Sequence, residues 1–280
     1  MQPRFPLKPL CLVVLQALAF HAYAADAADA ADSAATAGAL AGPMQSVEIT
    51  GRGQSRQVQN INKADLAEAL PGTSPLKVLD KLPGVNFQSA DPFGAYEWST
   101  SFSIRGFNQN QLGFTLDGVP LGDMSYGNNN GLHISRAVSS ENIGSVQVSQ
   151  GAGALGTAST SNLGGTVQFF TLAPTDEFGV TASQTLGSDS TSRTFVRVDT
   201  GLINGAVKAF ISGTRQRTDK TKGEGAQDQD QINSRFVFNF GDNSLTGFLN
   251  HSDRKEVDYQ DMSKEMINRL GYSWDNYQPD

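Results

Sequence analysis

The C-terminal part of the chain alternates apolar and polar residues with the two-residue period of a β-strand. Segments with one apolar face and this spacing are typical of tilted transmembrane strands, although a soluble β-sandwich alternates in the same way. The connections favour membrane strands, because those at 202–205 and 241–244 are tight whereas 218–230 is long, charged and glycine-rich. The short connection at 187–191 fits this pattern less well. The five predicted strands cover residues 178–186, 194–202, 207–211, 236–240 and 245–249.

The N-terminus has the composition of a secretory signal peptide. Arg4 and Lys8 form a basic region, residues 10–20 an apolar core, and residues 22–24 a small-x-small cleavage site, Ala-Tyr-Ala. We predict that residues 1–24 are removed after Ala24 and that the chain is exported from the cytoplasm. The single cysteine, Cys11, lies inside the apolar core, so the mature chain is expected to have no thiol or disulfide chemistry.

Residues 25–45 follow as a low-complexity stretch of Ala, Asp, Gly, Ser and Thr. A segment of this composition buries too little apolar surface to order itself, and we predict a disordered linker. Signal removal would take away two of the 21 basic residues and none of the 28 acidic ones, which gives a net charge of −9. An acidic exported protein is a poor binder of nucleic acid, and no nucleic-acid partner is expected.

Residues 74–171 predict a small α+β domain with a short mixed sheet. Apolar residues three apart between Pro75 and Leu82 indicate a short amphipathic helix, which the following Pro-Gly ends. Residues 112–121 predict a hairpin around Asp117-Gly118, because Asp-Gly tolerates the positive φ of a tight turn. Further extended runs are predicted at residues 85–87, 102–107 and 143–148, and a short helix or loose packing at 51–72.

The order of motifs in this stretch resembles the plug domain of TonB-dependent outer-membrane receptors. The motifs are Leu-Pro-Gly-Val at 82–85, Phe-Ser-Ile-Arg-Gly-Phe at 102–107, Phe-Thr-Leu-Asp-Gly-Val-Pro at 114–120, and the runs 142–153 and 162–171. The resemblance implies an α+β plug domain at residues 52–173. It also implies that residues 174–280 are the N-terminal part of an antiparallel transmembrane β-barrel, with about five strands.

Barrels of the resembling family have about 22 strands, so we expect this sequence to be a fragment. A complete short protein that oligomerises or stays soluble is the alternative. The resemblance implies active transport of a scarce solute across the cell outer membrane, with a ferric siderophore or similar chelate as the default ligand. The alternatives are a carbohydrate or other neutral solute, or a passive pore or surface adhesin that is not coupled to TonB.

Residues 46–51 resemble the TonB box in pattern and in position ahead of the plug. An extended segment of this kind adds a strand to the sheet of its partner, here the TonB energy-coupling protein of the inner membrane. A stray strand of the folded domain is the alternative. The residues expected to contact the partner are Val47, Glu48, Ile49, Thr50 and Gly51.

In the resembling family, two apical plug loops contact the ligand, and they match residues 88–100 and 122–134. Aromatic and amide side chains suit such a site because stacking and hydrogen bonding can be combined. Packing of Phe93 and Trp98 against the barrel wall is the alternative. Tyr272, Trp274 and Tyr277 belong to a later external loop that would join the site. The ligand-binding candidates are Phe93, Tyr96, Trp98, Tyr126, Asn128, Asn129 and His133.

The resemblance also assigns Arg105, Gly106, Asp117 and Gly118 to the core of the plug. Arg105 lies in an apolar run, and a buried cation needs a partner. In the resembling family, this arginine pairs with carboxylates of the surrounding wall. Pairing within the plug, or at its surface, is the alternative.

The sequence has no pattern typical of an enzyme. The three histidines are scattered, no His/Cys/Asp spacing predicts a metal site, and no Gly-x-Ser-x-Gly elbow is present. We therefore expect no catalytic residues, no metal and no cofactor.

Overall fold

The computed structural model describes residues 58–124, 131–151, 157–159 and 161–275. These residues belong to one compact unit, residues 45–280. The predicted signal peptide, the linker and the candidate TonB box lie outside the described residues, as do Tyr126, Asn128, Asn129 and Tyr277.

Residues 58–172 form a mixed α+β domain, which we call the small domain. Its larger sheet has the strand order β1-β7-β8-β5-β6, in which β5 and β8 are parallel and the other neighbours antiparallel. A second sheet has the order β2-β3-β4. The strands are β1 (Val58–Ile61), β2 (Val85–Gln88), β3 (Ser101–Ile104), β4 (Phe107–Asn108), β5 (Leu112–Leu116), β6 (Val119–Gly122), β7 (Ile143–Gln150) and β8 (Gly165–Thr171); the helices are α1 (Lys63–Ala67), α2 (Pro75–Val78) and α3 (Ile134–Ala137).

Local sequence explains several of these elements. Pro75 occupies the first turn of α2, where no amide donor is needed, and the helix tightens into a 3-10 turn at Leu79–Lys81. Gly84 then adopts a φ of 78° and ends it. Asp117 and Gly118 have φ values of 48° and 83°, as the tight hairpin turn between β5 and β6 requires. The predicted helix and hairpin are therefore confirmed.

The sequence predicted one extended segment at residues 102–107, and this prediction is wrong. Arg105 and Gly106 have φ values of 51° and 82° and form a turn that folds β4 back against β3. The glycine lets the chain reverse between two short apolar stretches, so Ile104 pairs with Phe107. The predicted helix near residues 51–72 is α1, and β1 precedes it.

The core of the small domain lies around the larger sheet and α2. Phe102 and Phe114 meet edge to face, with ring centroids 6.0 Å apart, and both are almost fully buried. Burial of such side chains contributes about 1.5–3 kcal/mol each, which makes this cluster the main stabilising feature of the domain. The largest fully buried apolar members are Leu76, Leu79, Phe102, Ile104, Leu112, Phe114, Ile134, Val138, Val146 and Phe169.

The five strands after the small domain form one antiparallel sheet in sequence order, which we call the wall sheet. They are β9 (Phe178–Leu186), β10 (Ser192–Thr200), β11 (Val207–Asp219), β12 (Ala226–Phe240) and β13 (Asn243–Glu256), followed by the helix α4 (Lys264–Leu270). The number of predicted strands is confirmed, and together the two parts confirm the predicted fold class, an α+β domain followed by antiparallel strands.

The prediction of a long loop at residues 218–230 is wrong. β11 continues to Asp219 and β12 begins at Ala226, so only residues 220–225 connect them. The alternation of apolar and polar residues did not indicate these extensions, because both faces of the strands are polar there. The outward residues pair opposite charges across the strands, Arg215 with Asp230 and Arg217 with Asp228.

The wall sheet carries most of its apolar residues on the face away from the small domain, with Phe195 and Phe210 as buried exceptions. Phe178, Leu186 and Leu249 are 72%, 74% and 69% exposed, whereas the inward Arg197 and Asn233 are 5% and 0% exposed. A soluble β-sandwich buries its apolar face, so this reversed arrangement favours strands that face lipid. Among the described residues, no helix has the length and apolar character needed to cross a membrane.

Candidate functional site

A polar interface joins the small domain to the wall sheet. The Ser139 amide donates to Asn233 Oδ1 at 2.9 Å, and Asn142 Nδ2 donates to Ser212 Oγ at 2.8 Å. The Ser139 hydroxyl also lies 2.7 Å from Thr214 Oγ1. All five side chains are buried, so each bond satisfies a group that would otherwise be costly to desolvate.

Two buried arginines on β10 strengthen this interface. Arg193 donates to both carboxylate oxygens of Glu141, from Nε at 3.1 Å and Nη2 at 2.8 Å. Arg197 forms the same two-pronged pair with Asp199, at 2.8 and 2.7 Å, and also donates to Asn142 Oδ1 at 3.3 Å. Bidentate pairs of this kind fix the relative orientation of the two side chains. Removing one member leaves a buried charge without its partner.

Asp91 organises the first apical loop. Its carboxylate accepts hydrogen bonds from the amides of Phe93 at 3.1 Å, Ala95 at 3.0 Å and Tyr96 at 3.0 Å, and from the Ser89 hydroxyl. The Asp91 side chain therefore stabilises the bend at residues 91–96, as an Asx residue does in a turn.

Tyr96 fastens this loop to the segment that follows β13. Its hydroxyl donates to Asp258 Oδ1, and its ring meets Tyr259 edge to face at 5.9 Å. Burial and the neighbouring Asp258 carboxylate raise the pKa of the Tyr96 phenol, which keeps it protonated as a donor. Arg254 of β13 adds a bond to the Ala95 carbonyl at 3.1 Å.

His133 lies at the base of the second apical loop and caps α3. Its Nδ1 accepts from the Ser135 amide at 3.3 Å, and its Nε2 lies 3.2 Å from Thr100 Oγ1. Burial, helped by the nearby cations of Arg254 and Arg136, lowers the pKa of His133 to about 3. The imidazole is therefore neutral at physiological pH, as a capping acceptor must be.

Of the ligand-binding candidates that the structure describes, most point inward. Phe93, Tyr96 and His133 are 5%, 2% and 4% exposed, so a solute does not reach them in this conformation. Trp98 is 38% exposed and is the described candidate that best suits ligand contact. The burial of Phe93 agrees with the alternative that the sequence offered, inward packing, whereas the burial of Tyr96 and His133 was not predicted.

Two wall loops lie close together beyond the ends of the strands, and the sequence did not predict their contact. Lys220 forms an ion pair with Asp275 at 3.2 Å, in which both side chains are buried. The Gly223 amide donates to the Ser273 carbonyl at 2.9 Å. Lys222 places its ammonium 3.8 Å from the ring centroid of Tyr272, and that ring is 70% exposed. Lys222 and Tyr272 therefore add a cation and an exposed aromatic ring to the surface of these loops.

The residues assigned to the plug core divide into two groups. Arg105 is exposed on its turn, with its amide bonded to the Gly84 carbonyl at 2.6 Å. Its pairing with wall carboxylates stays a prediction. Asp117 accepts from the Thr171 amide at 2.9 Å and lies 3.8 Å from Arg235 of β12. Asp117 thus links the hairpin turn to the wall sheet, in addition to its role in the turn that it forms with Gly118.

Within the described parts of the chain, no group of three or more His, Cys, Asp or Glu side chains is placed to hold a metal ion.

Comparison with known proteins agrees with this architecture. The family model described as TonB-dependent Receptor Plug Domain matches residues 50–166. No curated protein matches the sequence.

Solved structures show the same fold at low identity. The unliganded ferric citrate transporter FecA is 19% identical with a TM-score of 0.62, over 78% of this chain and 34% of its own. The pyoverdine receptor FpvA of Pseudomonas aeruginosa PAO1, bound to pyoverdine, is 19% identical with a TM-score of 0.57, over 71% and 28%. The ferric yersiniabactin uptake receptor FyuA of Yersinia pestis is 16% identical with a TM-score of 0.50, over 65% and 29%. The chain therefore spans about a third or less of the length of these receptors.

Proposed function

We propose that this chain, whose residues 50–166 are a plug domain of the TonB-dependent receptor family, is the N-terminal part of an active transporter of the cell outer membrane. The observation that carries the proposal is the junction of this domain with a sheet whose apolar face points outward. The small domain then lies on the lumen side of a lipid-facing wall. Domain bounds of 1–24, 25–45, 46–51, 52–173 and 174–280 for signal, linker, TonB box, plug and wall belong to the same proposal.

The polar interface supports a plug that moves relative to its wall. Bonds such as Ser139 to Asn233 and Arg193 to Glu141 join polar groups that water can also satisfy. Separation of these bonds exposes polar groups to water, so it costs less than opening an apolar core. Work supplied by an energised partner can therefore displace the plug without unfolding the wall.

Residues 46–51 are proposed to be the segment that the partner captures. They precede β1 by a few residues, so tension on them enters the small domain at Val58, its first described residue. An extended, β-prone segment is suited to strand addition to the TonB protein. Ligand binding must favour the state in which this segment is accessible, or it would not promote uptake.

The proposed ligand is a ferric chelate bound at the external end of the plug. The similar structures named above are a ferric citrate transporter, a pyoverdine receptor and a ferric yersiniabactin uptake receptor. Here the described external surface offers the Trp98 and Tyr272 rings and the Lys222 ammonium. Aromatic rings and a cation suit a partly anionic chelate, because stacking and charge pairing can be combined.

The test is deletion of residues 46–51 in the full-length receptor. Cells carrying the deletion are expected to bind the ferric chelate at their surface as before and to lose its uptake. Deletion of six residues within 30–40 is the matched control, since it shortens the same linker and leaves the box intact. Uptake at the normal level without residues 46–51 would contradict the proposal, as would equal loss in the control.

A further inference from the structure

We propose that Arg254, on the wall strand β13, is a positioning residue of the ligand surface. It holds the two apical loops of the small domain in one arrangement and thereby sets their affinity for the chelate. This inference rests on the proposed function, because it assumes that both loops face the ligand. It adds a residue that lies outside both loops, on the wall, and determines how well they bind.

The Arg254 guanidinium donates to both loops at once. Its Nη1 donates to the Ala95 carbonyl of the first apical loop at 3.1 Å. Its Nη2 donates to the Ser135 carbonyl at 3.2 Å and to the Ser135 hydroxyl at 3.1 Å, in the helix α3 that follows the second apical loop. Because the guanidinium donors have a rigid, planar arrangement, these bonds fix the position of one loop relative to the other.

Arg254 depends on these contacts because its charge is buried. The Arg254 side chain is 2% exposed, and its Nη1 lies 3.4 Å from Oε1 of Glu256, whose side chain is 11% exposed. A cation removed from water is costly unless hydrogen-bond acceptors surround it. The loop carbonyls are therefore required partners of the arginine, and a shift of either loop away from it is unfavourable.

The two loops also bond to each other beside this guanidinium. The Ser135 hydroxyl donates to the Ala95 carbonyl at 3.0 Å. Arg136 forms an ion pair with Glu97, which belongs to the same 3-10 turn as Trp98. Trp98 is the exposed ligand-binding candidate of the first loop. The position of its ring therefore depends on how this loop lies against α3.

A row of amide side chains on β12 and β13 attaches α3 to the wall independently. Gln229 Nε2 donates to the Ser135 carbonyl at 2.9 Å. Gln231 Nε2 and Asn250 Nδ2 donate to the Arg136 carbonyl at 3.0 and 2.9 Å. The last carbonyls of a helix lack partners within it, so these amides complete the end of α3. Loss of the guanidinium should therefore leave α3 in place and let the first loop shift relative to it.

A lysine at position 254 would keep the charge and lose the geometry. An ammonium is a compact point charge on a flexible stem, whereas the guanidinium presents its donors in a fixed fork. Arg254→Lys can still pair with Glu256, but it cannot hold the acceptors of Ala95 and Ser135 in the same fixed arrangement. This variant therefore separates an effect of charge from an effect of loop position.

The test measures surface binding and uptake by cells that carry the full-length receptor. The probes are radioiron-labelled chelates of the hydroxamate, catecholate and α-hydroxycarboxylate classes. Arg254→Met is combined with Glu256→Gln, so that no buried carboxylate loses its partner. This double variant is expected to bind about tenfold more weakly than the wild type and to reach the wild-type uptake rate when the chelate is saturating. Arg254→Lys should show a similar loss of affinity, and full affinity in that variant would overturn the inference.

Two controls isolate the contacts of Arg254 with the loops. Glu256→Gln alone leaves the bonds from Arg254 to both loops and is expected to bind as the wild type does. Arg235→Met is the matched control, because Arg235 is another wall arginine that donates to a carbonyl of the small domain, that of Thr171 at 2.8 Å. Unchanged affinity in the double variant, or an equal loss in Arg235→Met, would overturn the inference.

Hydrogen exchange gives a readout that needs no ligand. In the double variant, the amides of residues 93–97 should exchange faster, while those of α3 keep their protection through the amide row. Acceleration at neither place, or equally at both, would contradict the positioning role. If no probe binds the wild-type receptor, or if uptake continues after the proton-motive force is collapsed, the proposed function fails. The exchange measurement still decides in that case whether Arg254 positions the loops.

Discussion

Single carboxylates and one imidazole determine the shape of the external end of the small domain. Asp91 holds the first apical loop through three backbone amides, and His133 caps the helix below the second. Both act as hydrogen-bond acceptors for backbone amides. Two measurements test these roles.

Asp91→Ala should loosen the first apical loop. Each lost hydrogen bond to a charged acceptor costs about 1.5–3 kcal/mol, so three of them amount to a large part of the loop's stability. Hydrogen exchange of the Phe93, Ala95 and Tyr96 amides in the full-length receptor should accelerate. The control is Asp80→Ala, since Asp80 accepts one amide bond, from Phe87 at 2.9 Å. Equal effects of the two variants would contradict the organising role of Asp91.

His133 makes the receptor less stable in mild acid. Its pKa is about 3 in the folded protein and 6.5 when exposed, so the unfolded chain binds a proton first as pH falls. The contribution of neutral His133 to the free energy of unfolding is fully present above pH 6.5. It is lost progressively between pH 6.5 and pH 3, by at most about 1.4 kcal/mol per pH unit. The thermal midpoint of the receptor should therefore fall in this window.

His133→Gln is expected to remove this part of the pH dependence, because an amide accepts hydrogen bonds and does not titrate. His251→Gln, at an exposed position on β13, is the control and should leave the slope unchanged. A wild-type slope that survives in His133→Gln would show that other groups cause it.

At the scale of elements, β10 contacts the small domain through buried, charged side chains. Arg193 and Arg197 project from it into the interface with side chains 5% and 6% exposed, and each is paired. Similar charges on the outward face of β11 contribute little, because Arg217 is 59% exposed and its partners lie 3.7 Å away.

Arg193→Ala is therefore expected to destabilise the contact between β10 and the small domain. It leaves the Glu141 carboxylate, whose side chain is 13% exposed, without its arginine, and breaking a largely buried pair in this way costs about 3–5 kcal/mol. Arg217→Ala should change stability by about 0–1 kcal/mol. Hydrogen exchange at Glu141 to Ile143 measures the difference, and protection that survives in Arg193→Ala would contradict the assigned role.

Sequence predicted the elements that depend on local chemistry. The α2 helix and the Asp117-Gly118 hairpin follow from proline, glycine and apolar spacing over a few residues. The C-terminal end of β11 and the N-terminal end of β12 were not predicted, because both faces of the strands carry polar side chains there. The inward orientation of Tyr96 was missed as well, because its partner Asp258 is 162 residues away. Burial of that kind depends on the assembled fold.

At the scale of the whole molecule, the outward face of the wall sheet bears on the proposed position of the chain in the membrane. On β12, Phe240, Phe238, Phe236 and Ile232 face outward, and they span about 26 Å at roughly 3.3 Å per residue. Beyond Ile232 the outward side chains are charged. Because barrel strands tilt by about 35–45°, this length corresponds to about 19–22 Å along the bilayer normal, slightly less than the apolar band of about 25 Å that transmembrane barrels present.

A tryptophan at Phe238 should therefore lie in the hydrocarbon, and one at Asp228 should not. We expect brominated acyl chains to quench the added fluorescence of Phe238→Trp strongly and that of Asp228→Trp weakly, after subtraction of the native signal. Equal quenching at the two positions would contradict the proposed placement of the wall in the membrane.

The central claim is that an energised partner drives solute past the plug. The most direct measurement is uptake of a ferric chelate by cells carrying the full-length receptor, before and after the proton-motive force is collapsed. We predict that uptake stops while surface binding of the chelate is unchanged. Uptake that continues at the same rate after collapse would identify a passive pore and contradict the account.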